Sequence, residues 1–125
     1  MARLAQITPL VPVSDLNRSV NFFVNTLGFQ AGFQADGYAY LTRDCVAIRL
    51  LQAGEGVDLR DPEYQQSCYI DVEGVDDLYQ GLKQKLDKLA KGRVKMPFDQ
   101  PYGQREFHVL DEDALLIMFG EPISR

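Results

Sequence analysis

The chain has 125 residues, 46% hydrophobic and 25% charged; this ordinary globular mixture excludes disorder and suits one compact domain, expected over 1–125, or two very small fused repeats. A net charge of -5 argues against nucleic acid as a partner, because a phosphate-tracking protein needs a basic face and the basic cluster Lys83, Lys85, Lys88, Lys91, Arg93 and Lys95 is balanced by acids elsewhere. No apolar run approaches the roughly 20 residues of a membrane span, Met1-Ala2-Arg3-Leu4 opens no secretory signal, and Cys45 and Cys68 form no disulfide framework, so a reduced, cytoplasmic setting without a membrane is expected.

Gln6 to Val13 reads as extended. Pro9 and Pro12 confine such a strand to a sheet edge or to irregular pairing, because proline offers no ladder donor. Ser14 or Asp15 then caps a helix whose apolar stripe is Leu16, Val20, Phe23 and Leu27, with Gly28 as its C-terminal cap. Three strands follow: Phe29 to Ala35, a turn at Asp36-Gly37, Tyr38 to Thr42, a turn at Arg43-Asp44, and Cys45 to Leu51. Residues 53–66 are polar, contain Gly54, Gly56 and Pro62, and read as a linker. Ser67 to Val72 begins again as a strand. Val75, Leu78, Leu82, Leu86 and Leu89 form a second helical stripe, a core-packing face with solvated lysines, that ends near Gly92. Val94 to Phe98, Gly103 to Leu110 and Ala114 to Phe119 are three further strands, the last turn lying at Asp111 to Asp113.

The order β-α-β-β-β thus occurs twice, over 6–52 and 67–121. Val13-Ser14-Asp15-Leu16 corresponds to Val72-Glu73-Gly74-Val75, and Thr42-Arg43-Asp44-Cys45 to Asp111-Glu112-Asp113-Ala114. An internal repeat is a stronger fold signal than any single element. The expected class is α+β, two βαβββ repeats forming paired cup-shaped mixed sheets.

The opening Val13-Ser14-Asp15-Leu16-Asn17-Arg18-Ser19-Val20-Asn21-Phe22-Phe23 with Leu27-Gly28-Phe29, and the closing Tyr102-Gly103-Gln104-Arg105-Glu106-Phe107 with Leu110-Asp111-Glu112-Asp113-Ala114-Leu115-Leu116, resemble the first βα unit and the last hairpin of the vicinal-oxygen-chelate (glyoxalase/bleomycin-resistance) superfamily. The resemblance covers nearly the whole chain. The family usually carries Asp-Pro-Asp-Gly in that hairpin, so Glu112 and Ala114 depart from it, with consequences for the turn and not for chemistry. The resemblance implies two cups around a cavity. It also implies a divalent metal in the enzymes, held at positions that here are Thr8, Arg49, Ser67 and Met118. Hydroxyls and a thioether are poor donors, and Arg49 adds a fixed positive charge. No metal, no other cofactor and no catalytic residue is therefore expected.

Hairpin arithmetic sorts the faces. A turn at Arg43-Asp44 sets Tyr38 opposite Arg49 and Tyr40 opposite Ala47 on the cavity face, with Leu41, Val46, Ile48 and Leu50 on the other. A turn at residues 112 and 113 sets Phe107 opposite Met118, and His108 opposite Ile117 and away from the cavity. Arg105, Phe107, Leu116 and Met118 then join the lining. The candidate ligand-binding residues are Phe33, Tyr38, Tyr40, Arg49, Tyr102, Arg105, Phe107 and Met118: aromatic and apolar walls with two arginines.

The metal-free bleomycin-resistance branch looks closest. In it Phe33, Tyr38 and Tyr102 would fall where aromatics line the drug groove, and Thr8-Pro9-Leu10-Val11-Pro12 resembles its N-terminal strand. The resemblance implies a homodimer that sequesters an antibiotic or another aromatic or cationic small molecule; whether the N-terminal strand is exchanged between subunits stays open. With no tryptophan, the stacking surface is smaller than in that branch. Two alternatives stand beside this reading. One is a lyase- or isomerase-type enzyme of the same fold without the metal, Arg49 or Arg105 holding an anionic substrate beside a tyrosine acid or base. The other is an interaction module with a collapsed cavity.

Overall fold

A computed structural model of the chain describes residues 1–123; the last two residues of the expected 1–125 domain lie outside the described residues. The elements are β1 (Leu10–Val13), α1 (Leu16–Asn21) continued by a π-helical turn (Phe22–Thr26), β2 (Gln30–Ala35), β3 (Tyr38–Arg43), β4 (Val46–Gln52), a short 3-10 turn (Pro62–Tyr64), β5 (Ser67–Asp71), α2 (Val75–Leu86), β6 (Val94–Asp99), β7 (Gln104–Leu110) and β8 (Leu116–Pro122). They form two four-stranded mixed sheets, ordered β1-β4-β3-β2 and β5-β8-β7-β6. In each, the strand before the helix pairs parallel with the last strand of its half. Pro12 sits in β1, an edge strand, where the missing N–H is tolerated. The strand starts at Leu10 and not at Gln6; Met1, Leu4 and Ile7 ahead of it are fully exposed.

Asp15 caps α1, its carboxylate accepting from the Arg18 backbone N–H at 3.1 Å. The widened turn after Asn21, in which Leu27 N donates to Phe22 O, places one more residue on the inner side than an α-helix would. Phe22 and Phe23 are therefore both buried, edge to face at 5.8 Å. In α2 the buried residues are Val75, Tyr79, Leu82 and Leu86; Leu78 and Leu89 are half-buried partners of the same core. Tyr79, absent from the leucine stripe, packs on Phe107 at 5.3 Å. One continuous apolar cluster joins the helix-facing sides of both sheets.

The registers of the two hairpins decide the faces, and both differ from the arithmetic. Arg43 remains in β3, its Nη1 donating to Leu27 O at 2.7 Å, and the turn moves to Asp44 and Cys45, with Asp44 at φ 50. Aspartate tolerates that left-handed region better than most residues. Tyr38 consequently opposes Leu51 and Tyr40 opposes Arg49; a shift of two leaves every side chain on its expected face.

The β7–β8 connection is a three-residue loop, Glu112-Asp113-Ala114, closed by Asp111 N donating to Leu115 O and Ala114 N to Asp111 O. The Asp111 carboxylate accepts from the backbone N–H groups of Asp113 and Leu115, and Ala114 closes the loop at φ 63, as such loops require. The extra residue makes the register Phe107–Phe119 and His108–Met118. An odd shift turns β7 over. An L-residue in the left-handed region is strained, so Ala114→Gly should stabilise the fold by about 0.5–1 kcal/mol after glycine's entropy cost. A rise in the urea midpoint at constant m-value would show it; a fall would refute it.

Candidate ligand-binding site

The helix-free face of the first sheet gathers four of the candidate residues. Tyr38, Tyr40 and Arg49 alternate outward from β3 and β4 opposite the buried Ala39, Leu41, Ile48 and Leu50. Arg49 is held from three directions: Nε donates to Thr8 Oγ1 at 2.8 Å, Nη1 to the Tyr38 hydroxyl at 2.5 Å, and the guanidinium lies 4.8 Å from the Tyr40 ring centre. Phe33 reaches over from β2, its ring 6.0 Å from that of Tyr38 and 67% exposed. The result is an aromatic platform with a pinned cation. Thr8 and Arg49, which the resemblance places at two of the family's metal positions, are hydrogen-bonded to each other. A guanidinium on the hydroxyl oxygen, with Ser67 and Met118 at the remaining positions, does not fit a cation.

The second sheet corrects part of the expectation. Phe107 is fully buried on the helix side, stacked on Phe119 at 4.7 Å. Arg105, also turned to the helix side, is bound by Asp76 of α2 at 3.0 Å and by Asp99 at 3.0 Å. Neither lies on the open face, because the three-residue loop inverted β7. Met118 is half-buried on the open face, directly opposite His108 and Tyr69, so the histidine expected on the helix side faces outward instead. Tyr102, 63% exposed at the β6–β7 turn, sends its hydroxyl to Glu106 Oε2 at 2.6 Å.

Glu106 is the residue that sequence reasoning missed. Its side chain is fully buried, yet it lies on the open face, opposite Gly120. Oε1 accepts from Gln100 at 3.1 Å and contacts His108 Nε2 at 2.8 Å; Tyr69 brings its hydroxyl to the same carboxylate. Burial pushes the carboxyl upward, but the hydrogen bonds from Tyr102, His108, Gln100 and Tyr69 prevail and hold it at about 2, since each stabilises the ionised form. The same carboxylate raises both phenols: burial and then the Glu106 bond raise Tyr69, and chiefly the Glu106 bond raises Tyr102. The available signal was Gly120, a glycine inside a strand, which marks a close approach by a neighbour.

Cys68 is pushed up to about 11 by burial and by nearby Asp111, so its thiol is no nucleophile at neutral pH. A cleft of about 920 Å³ opens between the β3–β4 turn and the start of α2, lined by residues such as Phe29, Val46, Ile70, Glu73 and Phe119 and by none of the eight candidates.

Residues 3–119 match the family model of the Glyoxalase/Bleomycin resistance protein/Dioxygenase superfamily. The chain belongs to that superfamily. A bleomycin resistance protein of Geobacillus stearothermophilus is 33% identical over 97% of this chain and 99% of its own length. Among solved structures, a bleomycin-binding protein complexed with bleomycin superposes with a TM-score of 0.80 at 22% identity, covering 94% of this chain and 98% of that one. The bleomycin-binding protein of bleomycin-producing Streptomyces verticillus, complexed with copper(II)-bleomycin, gives 0.78 at 21% identity over the whole of both chains. The two-sheet βαβββ architecture is that of this superfamily. Among the described residues no helix is long and apolar enough to cross a membrane.

Proposed function

We propose that this chain is a small-molecule-binding protein of the bleomycin-resistance type, a homodimer that sequesters an antibiotic or another aromatic or cationic compound in the cytoplasm without a metal. The observation that carries the reading is the aromatic platform of Phe33, Tyr38 and Tyr40 beside the pinned Arg49, which offers stacking faces for a planar group of the ligand. The 33% identity to a bleomycin resistance protein over nearly the full chain supports it. Exposed Met1, Leu4, Ile7 and Leu10 support a partner subunit covering the N-terminal arm, by exchange of that segment or by packing against it. The whole of 1–125 would act as one domain, with repeats 6–52 and 67–121 joined by 53–66.

Calorimetric titration of chelator-treated protein with bleomycin tests this. Saturable binding by a dimer, weakened at least about tenfold (about 1.4 kcal/mol) by Tyr38→Ala, is the expected result. A monomer that gives no saturable heat would overturn the reading.

A further inference from the structure

From the four groups converging on one carboxylate we infer that Glu106 is a positioning residue of the open face of the second sheet: it fixes Tyr69, Tyr102 and His108 so that this face selects ligand groups that donate hydrogen bonds. The inference rests on the open face being the binding face.

An ionised carboxylate can only accept. The Tyr102 hydroxyl at 2.6 Å must therefore donate to it, as must the Tyr69 hydroxyl and His108 Nε2 at 2.8 Å. Each phenol has then spent its single proton inward, and what remains for a ligand is oxygen lone pairs. The phenol oxygens so displayed are acceptors, and the buried negative charge behind the rings adds an attraction for cationic nitrogen. A carboxylate or phosphate on the ligand would meet only lone pairs at the two phenols; the cation on this face, Lys95 opposite His108, is drawn over the Phe98 ring, its ammonium 3.9 Å from the ring centre.

The sequence around the site serves the same arrangement. Gly120 lies under the Tyr69 ring, and a Cβ there would come within 2.9 Å of Glu106 Cγ. Gln100 completes the shell, its amide donating to Oε1. His108 is held on its other flank by Phe98, edge to face at 5.1 Å.

Glu106→Gln keeps the shape and removes the ability to accept from every donor at once, and Tyr102→Phe, with Glu106 intact, provides a milder second variant. Tyrosine ionisation followed by ultraviolet absorption reads the anchor without any ligand. Tyr69 and Tyr102 should ionise late in the parent and revert toward the ordinary range in Glu106→Gln; identical curves would overturn the anchor. Bleomycin affinity should fall at least about tenfold in Glu106→Gln and less in Tyr102→Phe. A shifted tyrosine curve with unchanged affinity would make Glu106 merely structural and overturn the inference. The parent should prefer 1-naphthylmethylammonium to 1-naphthoate, and Glu106→Gln should lose that preference; equal binding, or none, would overturn the selectivity. Failure of the parent to bind bleomycin would instead count against the proposed function, while the tyrosine curve and the naphthalene pair still decide the role of Glu106.

Discussion

Phe107→Ala should lower the free energy of unfolding by about 3–5 kcal/mol, the range for deleting a large buried aromatic. The side chain is fully buried. It is stacked on Phe119 at 4.7 Å and edge-on to Tyr79 at 5.3 Å, so the truncation empties a site shared by β7, β8 and α2. Close-packed surroundings relax only partly into such a void. Chemical denaturation of parent and variant measures the loss. The prediction also separates two roles for the residue. If Phe107 lined the ligand face, truncation would chiefly weaken binding and barely touch stability. As a core residue it should cost stability, while the fraction still folded binds bleomycin as the parent does. A loss below about 1 kcal/mol would contradict the packing described here.

Most of the fold was legible in the sequence because it rests on signals that survive small errors. The helix stripes, the Asp15 cap and the Asp36-Gly37 turn depend on local pattern, and the repeat presents the order of strands and helix twice. The faces of β3 and β4 also survived, although their register was off by two, because side-chain direction has a period of two. That is why Tyr38, Tyr40 and Arg49 were placed together from sequence. The second hairpin failed for the same reason. A loop longer by one residue, closed by Ala114 in a conformation that alanine seldom adopts, inverted β7, exchanging Phe107 and Arg105 for Glu106 and His108. With glycine at 114, as in the family pattern, the left-handed position would have been visible in the sequence. Arg105 was misplaced for a further reason: its partners, Asp76 and Asp99, come from α2 and β6, and no local pattern announces a tertiary ion pair. Glu106 escaped because a glutamate in an exposed-looking alternation reads as solvated, whereas here four side chains cover it.

Gly120→Ala should cost about 1–3 kcal/mol, as overpacking does, although this glycine needs no unusual backbone. Its φ is not among the positive ones, so conformational freedom is not the reason for it. Space is. An added Cβ would lie 2.7 Å from the Tyr69 ring carbon that bears the hydroxyl and 2.9 Å from Glu106 Cγ. Tyr69 can swing outward, since it is 37% exposed, but doing so gives up its bond to the carboxylate. Glu106, fully buried, has nowhere to go. The cost should therefore be shared between the two neighbours, and a double-mutant cycle apportions it. In a Tyr69→Ala background the Gly120→Ala penalty should shrink by at least about 0.5 kcal/mol, the coupling expected of side chains in contact. The remainder should persist, because the clash with Glu106 is still there. Strict additivity would mean that Tyr69 does not lie over Gly120, and the ordered acceptor face of the second sheet would lose one of its supports. A coupled penalty would tie the glycine in β8, the buried carboxylate in β7 and the tyrosine in β5 into one unit, with the backbone of β8 as its floor.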